Sequence, residues 1–537
     1  MKKTTLFSLI LIVVSSVLFS TYSLYAQTPA PSWSECLGGN DNDRGFSICH
    51  VGDVHSILIC GLTTSTDLPR YPNPQSADGL VIKKDENGDT LFLNTYGGPG
   101  DDVITKGIEL PGGDFIFVGS TSSSNLITYG PSDIWVFRTD SMGVTIWEYT
   151  YGGSGNDGAL DVVYLNGKIY IAGETFSSDG IFSSSHGDRE GFVLALDLSG
   201  TFISAKTYGG SGQDAINSIT ALSSGYLAFN GWSESSDGNI VSNHGLNSDM
   251  FIGKINTNLD LLWTRSVGST GSETGYSIIE LHGNIFAGGY GQLFIDGDVT
   301  QRFGYPDLFI AKMDTATPAL LWFKPYGGSG WENGGKLKKS LSGDIFLCGA
   351  SQSDDYQVLS SVNTQTFMCY DPWVALIDTA GTLQWETSFG NTGNDAVYDI
   401  LPLDSNNFIA LGISKAALNN SYSPYLGGGY DIVLQGTYLP YQPARQSMLM
   451  TNISDRPTIG TINVYPNPSS GMIRVTMPNT EIPLSTVIIY DISGQILFSK
   501  QTSDVVYTTE LAQFAQGTYI VEVRNGTQLF RQRVQKM

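Results

Sequence analysis

A short pattern, Tyr-Gly-Gly-x-Gly-x-Asp, returns in phase seven times along this chain, and few folds can use such a period. The glycine runs begin at Gly38, Gly97, Gly152, Gly209, Gly268, Gly327 and Gly390, at steps of 59, 55, 57, 59, 59 and 63 residues. Five residues after each start stands an acid: Asp43, Asp102, Asp157, Asp214, Glu273, Glu332 and Asp395. Ten residues after, six copies carry an aliphatic residue, namely Ile48, Val162, Ile219, Ile278, Leu337 and Ile400, and the second copy carries Gly107. Self-similarity of this kind marks a supersecondary unit that buries its apolar face only against its neighbours.

Each copy holds four short strand candidates. In the second they are Val103–Leu110, Asp114–Gly119, Ile134–Arg138 and Thr145–Tyr151, β-branched and aromatic runs divided by turn residues. An Asp-x-x-Gly turn recurs at Asp85 to Gly88, Asp140 to Gly143, Asp197 to Gly200 and Asp378 to Gly381. Its Asp accepts bonds from the turn backbone and its Gly takes a positive φ. Four antiparallel strands per repeat, seven times over, predict an all-β, seven-bladed β-propeller across 27–438. The ends agree with closure. Trp33–Leu37 is a lone fourth strand before the first glycine motif, and the last copy stops after a third strand near Asp431–Gly436. Pairing these two gives four-stranded blades throughout and leaves no open edge. Gly152–Leu160 is similar to the calcium-binding nonapeptide of RTX proteins. In those proteins the motif recurs every nine residues and each ion is shared between turns, which the long period here forbids.

The chain has 51 acidic and 28 basic residues, a net charge of -23. That balance argues against nucleic acid and anionic lipid as partners. Residues 1–26 read as a signal peptide: Lys2 and Lys3, an apolar run from Leu6 to Leu18, and Ala26 before the cut. No lipobox cysteine follows, and no later stretch is long and apolar enough for a transmembrane helix. The five cysteines, Cys36, Cys49, Cys60, Cys348 and Cys369, show neither a disulfide framework nor zinc spacing. Buried free thiols account for them, with a Cys348–Cys369 bridge as the alternative.

Residues 439–460, with Pro440, Pro443 and Pro457, read as a linker. Beyond it, 461–537 carries strand candidates of its own: Ile462–Tyr465, Met472–Met477, Thr486–Asp491, Gln495–Lys500, Thr518–Arg524 and Gln528–Val534. They predict a small Ig-like β-sandwich. Its landmarks are Tyr465-Pro466-Asn467-Pro468-Ser469-Ser470-Gly471, Tyr490-Asp491-Ile492-Ser493-Gly494-Gln495, Gly517-Thr518-Tyr519-Ile520-Val521-Glu522-Val523 and the basic run from Arg531 to Lys536. In order and spacing this segment resembles the type A C-terminal sorting domain of the Bacteroidota type IX secretion system. The resemblance implies that Pro466, Asn467, Pro468, Gly471, Asp491, Gly494, Gly517 and Tyr519 form the sorting signal. It also implies type IX machinery as partner, and a protein secreted or attached to the outer-membrane surface. The repeats resemble glycine-rich propeller repeats of large secreted proteins from the same bacteria.

Candidate chemistry is sparse. The seven acids five residues into the motif are expected at one mouth of the channel, where carboxylates and loop carbonyls would suit calcium, the one cofactor considered. Capping of each acid's own turn explains them without a ligand. A second series opens the third strands: Asp78, Asp133, Glu190, Asp249, Asp307, Asp371 and Asp431. The long polar loops before it are where a rigid scaffold would carry specificity. The five histidines, His50, His55, His186, His244 and His282, lack metal-ligand spacing, and no Gly-x-Ser-x-Gly elbow occurs. Trp232 and Trp331, beside glycine loops, could stack on sugar rings. Trp147, Trp263, Trp322 and Trp385 share a fourth-strand position that suits packing. The expectation is a secreted or surface-attached binding or scaffold protein with a glycan or protein ligand. The alternative is an extracellular polysaccharide-degrading enzyme acting at the channel mouth.

Overall fold

The computed structural model describes residues 31, 33–52, 56–68, 76–85, 88–126, 128–183, 187–240, 243–245, 247–360, 369–390, 394–404, 406–414 and 430–437, then 463–465, 472–476, 485–491, 496–503, 506–510, 514–525 and 528–536. The leader expected at 1–26 and the linker expected at 439–460 lie outside the described residues.

Each repeat folds into one four-stranded antiparallel sheet. The first comprises Asp43–Val51, Ser56–Thr63, Asp78–Lys84 and Thr90–Tyr96, neighbours in space as in sequence. Five more follow the same order, with first strands Asp102–Glu109, Asp157–Leu165, Asp214–Ala221, Glu273–Leu281 and Glu332–Lys339. The seventh sheet holds Asp395–Pro402, Phe408–Ser414, Asp431–Gly436 and, from the other end of the chain, Trp33–Leu37. Every first strand therefore opens on an acid of the first series, and every third strand on an acid of the second. The first strand of each sheet packs against the first strand of the next, and the seventh against the first. The sheets are thus arranged like the blades of a propeller.

Burial explains the composition of the strands. Second and third strands lie between two neighbouring sheets, so Phe115–Thr121 and Asp133–Thr139 each have only one residue that is not buried. Ile116, Val118, Ile134 and Val136 of the second sheet mesh with Ile169, Ile171, Phe192 and Leu194 of the third. Full burial of such a side chain stabilises by about 1.5–3 kcal/mol relative to exposure. Fourth strands lie outermost and alternate more loosely, as in Thr145–Tyr151. The predicted Asp-x-x-Gly hairpins form, with Gly88, Gly143, Gly200 and Gly381 at φ between 79 and 83.

The closing strand pairs antiparallel with Asp431–Gly436, Trp33 opposite Gly436 and Leu37 opposite Ile432. Trp33 is buried with Leu411, Ile432 and Leu434. Its indole lies so close to Gly436 that a Cβ there would stand 2.4 Å from the ring.

The C-terminal strands form two sheets: Asn463–Tyr465, Met472–Thr476 and Val506–Glu510 in one, and Ser485–Asp491, Ile496–Thr502, Gly517–Asn525 and Gln528–Lys536 in the other. Ile473 and Val475 face Val487, Ile489, Val521 and Val523 in a common core, as in a β-sandwich. Val506–Glu510 is a strand that the sequence pattern did not indicate. Only Tyr507 of its five residues is buried, so the alternation is too faint to read.

Candidate functional site

The glycine motif is a cradle filled by the protein's own carboxylates. In the fourth sheet the N–H of Gly210 donates to Asp214 at 2.8 Å, that of Ser211 to Asp237 at 2.7 Å, and that of Gly212 to Ser235 Oγ at 2.9 Å. Ser235 Oγ in turn donates to Asp214 at 2.8 Å. The same set recurs around Asp157, with Asp179 and Ser177, and around Glu332, with Asp355 and Ser353. Asp43 takes Gly39 N–H and Ser65 Oγ, Asp102 takes Gly98 N–H and Ser123 Oγ, and Glu273 takes Ser269 N–H and Oγ. Three successive N–H groups would make an anion nest. Here the first strand supplies one carboxylate, and the loop between second and third strands supplies a second carboxylate and a hydroxyl, which holds the loop against the turn.

All seven acids of the first series, Asp395 included, are at most 3% exposed. They sit beneath the turns, and N–H and O–H donors take up carboxylate oxygens of Asp43, Asp102, Asp157, Asp214, Glu273 and Glu332. Burial pushes Asp43, Asp102 and Asp157 up from their ordinary value and takes Glu273 and Glu332 to about 7. Among the described residues no group of three or more His, Cys, Asp or Glu side chains could hold a metal ion.

The second series lies at the same junctions. Tyr129 and Gly130 donate to Asp133, Gly187 to Glu190, His244 to Asp249, and Phe303 and Gly304 to Asp307. The backbone N–H of each first-series acid donates to the residue just before a second-series acid of the preceding sheet. The carbonyls are those of Tyr430, Ala77, Ser132, Arg189, Ser248, Pro306 and Tyr370, at 2.7–3.0 Å. Both acid series thus mark the seams between sheets.

The inner strands hold what departs from the repeat. A one-residue bulge places Ser47, Asp161, Ser218, Ser277, Lys336 and Asp399 at equivalent points. These side chains bridge sheets: Asp161 accepts from Ser218 Oγ at 2.7 Å and Ile219 N–H at 3.0 Å, and Asp399 accepts from Ile48 N–H at 3.1 Å. Asp399, fully buried, also binds Lys338 Nζ at 3.1 Å, with Lys106 Nζ at 3.9 Å. Burial alone would raise its carboxyl, but Lys338, Lys106 and Lys336 hold it down to about 2. Burial pushes the Cys49 thiol up to about 11 and Cys60 to about 12, so neither is a ready nucleophile. The five cysteines form no disulfide with one another.

Aromatic residues divide in two. Trp232 is half-buried under Arg189, whose guanidinium lies 4.7 Å from the ring. Trp147, Trp263, Trp322 and Trp385 pack wholly or partly into the sheet cores. Trp331, by contrast, is 58% exposed. Near it in the fifth and sixth repeats Phe294, Ile295, Tyr305, Tyr356 and Leu359 are also exposed. Phe294 meets Tyr305 at 5.8 Å and Phe303 meets Tyr356 at 5.6 Å. A groove of about 1010 Å³ runs between the outer strands of these two sheets, Leu320–Tyr326 and Leu383–Ser388. The sequence could have shown this cluster. Trp331 stands where the other repeats have Asn42, Asp101, Asn156, Gln213, Ser272 and Asn394. Of the histidines, His244 Nδ1 bonds Asp249 at 2.6 Å and His50 Nε2 meets the Pro402 carbonyl, while His55 and His186 lie outside the described residues.

In the C-terminal sandwich, Asp491 ends a strand opposite Tyr519, whose hydroxyl donates to Ala515 at 2.6 Å, and Gly517 opens that second strand. Pro466, Asn467, Pro468, Gly471 and Gly494 lie outside the described residues. No helix among the described residues is long and apolar enough to cross a membrane.

No curated protein matches the chain in sequence. Among solved structures, PorZ of Porphyromonas gingivalis, a surface component of the type-IX secretion system, is 12% identical with a TM-score of 0.37. The match covers 93% of this chain and 60% of PorZ, so the chain spans less than two thirds of that protein. The β-propeller domain of the Trilobed protease from Pyrococcus furiosus is 10% identical with a TM-score of 0.36, over 69% of this chain and 92% of that domain. A fungal alcohol oxidase in complex with copper is 13% identical with a TM-score of 0.39, over 95% and 100%. Overlaps this loose carry no argument about this chain. The tail is different: residues 463–536 match the family described as Secretion system C-terminal sorting domain. The chain therefore carries a type IX sorting domain at its C-terminal end, and is exported to the outer-membrane surface or beyond it.

Proposed function

We propose that the exported chain is a glycan-binding protein of the cell exterior, with the ring of sheets as a rigid scaffold and the loops of the fifth and sixth repeats as its contact surface. One observation carries this reading. The polar residues that keep the repeat phase are consumed in building turns and seams, whereas four of the exposed aromatic residues, Phe294, Tyr305, Trp331 and Tyr356, break the phase and gather in two adjacent repeats. Aromatic faces next to polar loops bind sugar rings by stacking, with hydroxyls left to hydrogen-bond. The carboxylates that keep the repeat phase are committed to buried turns, and Asp399 to lysines.

Affinity electrophoresis of the secreted chain against a polysaccharide panel, with an assay of reducing ends, tests the reading. Retardation by at least one polysaccharide without new reducing ends is expected. Accumulating reducing ends, or no retardation by any polysaccharide, overturns it.

A further inference from the structure

The loop aspartates that cap the glycine cradle are followed by Gly180, Gly238 and Gly297 in the third, fourth and fifth repeats, at φ of 60, 65 and 56. A Cβ at these glycines would stand 2.3, 2.4 and 2.5 Å from the carbonyl oxygens of Gly152, Gly209 and Gly268. The sixth repeat places Tyr356 here, at φ 51. A bulky residue in the left-handed region is costly, by roughly 1–3 kcal/mol, and such residues gather at functional sites. The strain brings no burial in return, because Tyr356 is 63% exposed. Its ring sets an edge to the groove between the fifth and sixth sheets, together with Phe303.

The same space at the junction of the second and third sheets is filled. There Trp147 stacks on Tyr149 at 5.5 Å, both rings press on Gly200, and Trp147 Nε1 donates to the Leu198 carbonyl at 3.1 Å. In the fifth sheet Lys324 stands in the place of Tyr149 and turns its ammonium to the carbonyls of Ala380 and Gly381. Among the described residues the indole N–H of Trp322, equivalent to Trp147, finds no acceptor, and the same holds for Trp263 and Trp385. Tyr356 is thus the groove's departure from the repeat, since Lys324 keeps the basic residue that Lys206 and Arg265 place at the same point of their strands.

Its charges are already engaged. Besides Lys324, Asp298 is held by Arg265 at 2.8 Å, and Glu386 by Ser360 Oγ at 2.8 Å and Trp373 Nε1 at 2.9 Å. What remains for a ligand is aromatic surface, the aliphatic Leu320, Leu321, Leu359 and Leu383, and the uncharged Thr300, Gln301 and Thr382. An apolar, partly aromatic lining with neutral hydrogen-bonding groups and no uncommitted charge fits the ring faces and hydroxyls of a neutral saccharide. The volume, at the upper end of the range of about 300–1,000 Å³ for small-ligand sites, exceeds the needs of one sugar ring.

We propose that this groove binds a segment of a neutral glycan chain, with Tyr356 as the stacking platform and Trp322 in its lining. The proposal deepens the binding reading above and rests on it. The test uses the secreted full chain, titrated calorimetrically with neutral oligosaccharides (cello-, manno-, xylo- and laminari-hexaose) and with the acidic hexamer of galacturonic acid. Binding of a neutral hexamer is expected, with no binding of the acidic one. Tyr356→Gly installs the residue of the three preceding repeats, so its melting temperature should be unchanged or higher while affinity falls roughly tenfold. Trp322→Ala should weaken binding likewise. Unaltered affinity in Tyr356→Gly, or tighter binding of the acidic hexamer, overturns the groove assignment and leaves the general reading standing. Failure to bind any glycan overturns both.

Discussion

Asp133 Oδ1 and Asp157 Oδ2 each lie 2.5 Å from the point where a Cβ on Gly152 would stand, so two buried carboxyls share one seam between sheets. Burial, and then the charge of Asp157, push Asp133 up, and in the next seams Asp249 adds to the burial that raises Glu273, and Asp307 to that which raises Glu332. The glycine is required because any side chain would drive this pair apart.

These seams set a pH dependence. Groups whose folded pKa lies above the unfolded one stabilise fully below the unfolded value and lose that contribution as pH rises through the folded value. For Glu273 and Glu332 the interval runs from 4.5 to about 7. The melting temperature should therefore rise by several degrees between pH 8 and pH 5, and Glu332→Gln should flatten that slope. Calorimetry across pH decides, and a melting temperature that falls over this interval contradicts the seam account.

Asp399 behaves oppositely. Its folded carboxyl lies at about 2, below its ordinary value, so its contribution is present above that ordinary value and fades only as pH falls through about 2. Asp399→Asn strands Lys338 and Lys106 without their anion and should cost about 3–5 kcal/mol in urea denaturation. Adding Lys338→Met should recover part of that loss, because the uncompensated charge is then removed.

Trp33→Ala empties a buried site in the closing strand and should cost about 3–5 kcal/mol. Deleting Trp33–Leu37 bares one edge of Asp431–Gly436. Size-exclusion chromatography should then show self-association through that edge, and a strictly monomeric deletion variant would contradict the closure role.

Removing 463–537 should leave the chain in the periplasm, as cell fractionation with immunoblotting would report. Delivery of the truncated chain to the surface would contradict the sorting role of the tail.

Much of this architecture was legible because the repeat repeats its physics. Tyr-Gly-Gly-x-Gly-x-Asp disclosed the turns, and Trp33–Leu37 disclosed the closing strand, because alternation and turn residues are local signals. The role of the in-phase acids was less visible. Asp43 and its counterparts looked like a ring at a mouth, and only three dimensions show Ser65 and Gly39 closing over that carboxylate. The channel cluster was hidden for another reason: Lys106, Lys338 and Asp399 stand far apart in sequence and meet only when the ring closes. Tyr356 was readable in principle, as a tyrosine where three preceding repeats have glycine, but its cost became visible only with its φ.

The pairing of Trp33–Leu37 with Asp431–Gly436 also orders events in time. Trp33–Leu37, the first described strand to emerge during synthesis, must wait for the last strand of the ring. The sorting tail comes after that partner, at 463–536. A chain cut short before residue 431 therefore lacks both its clasp and its address.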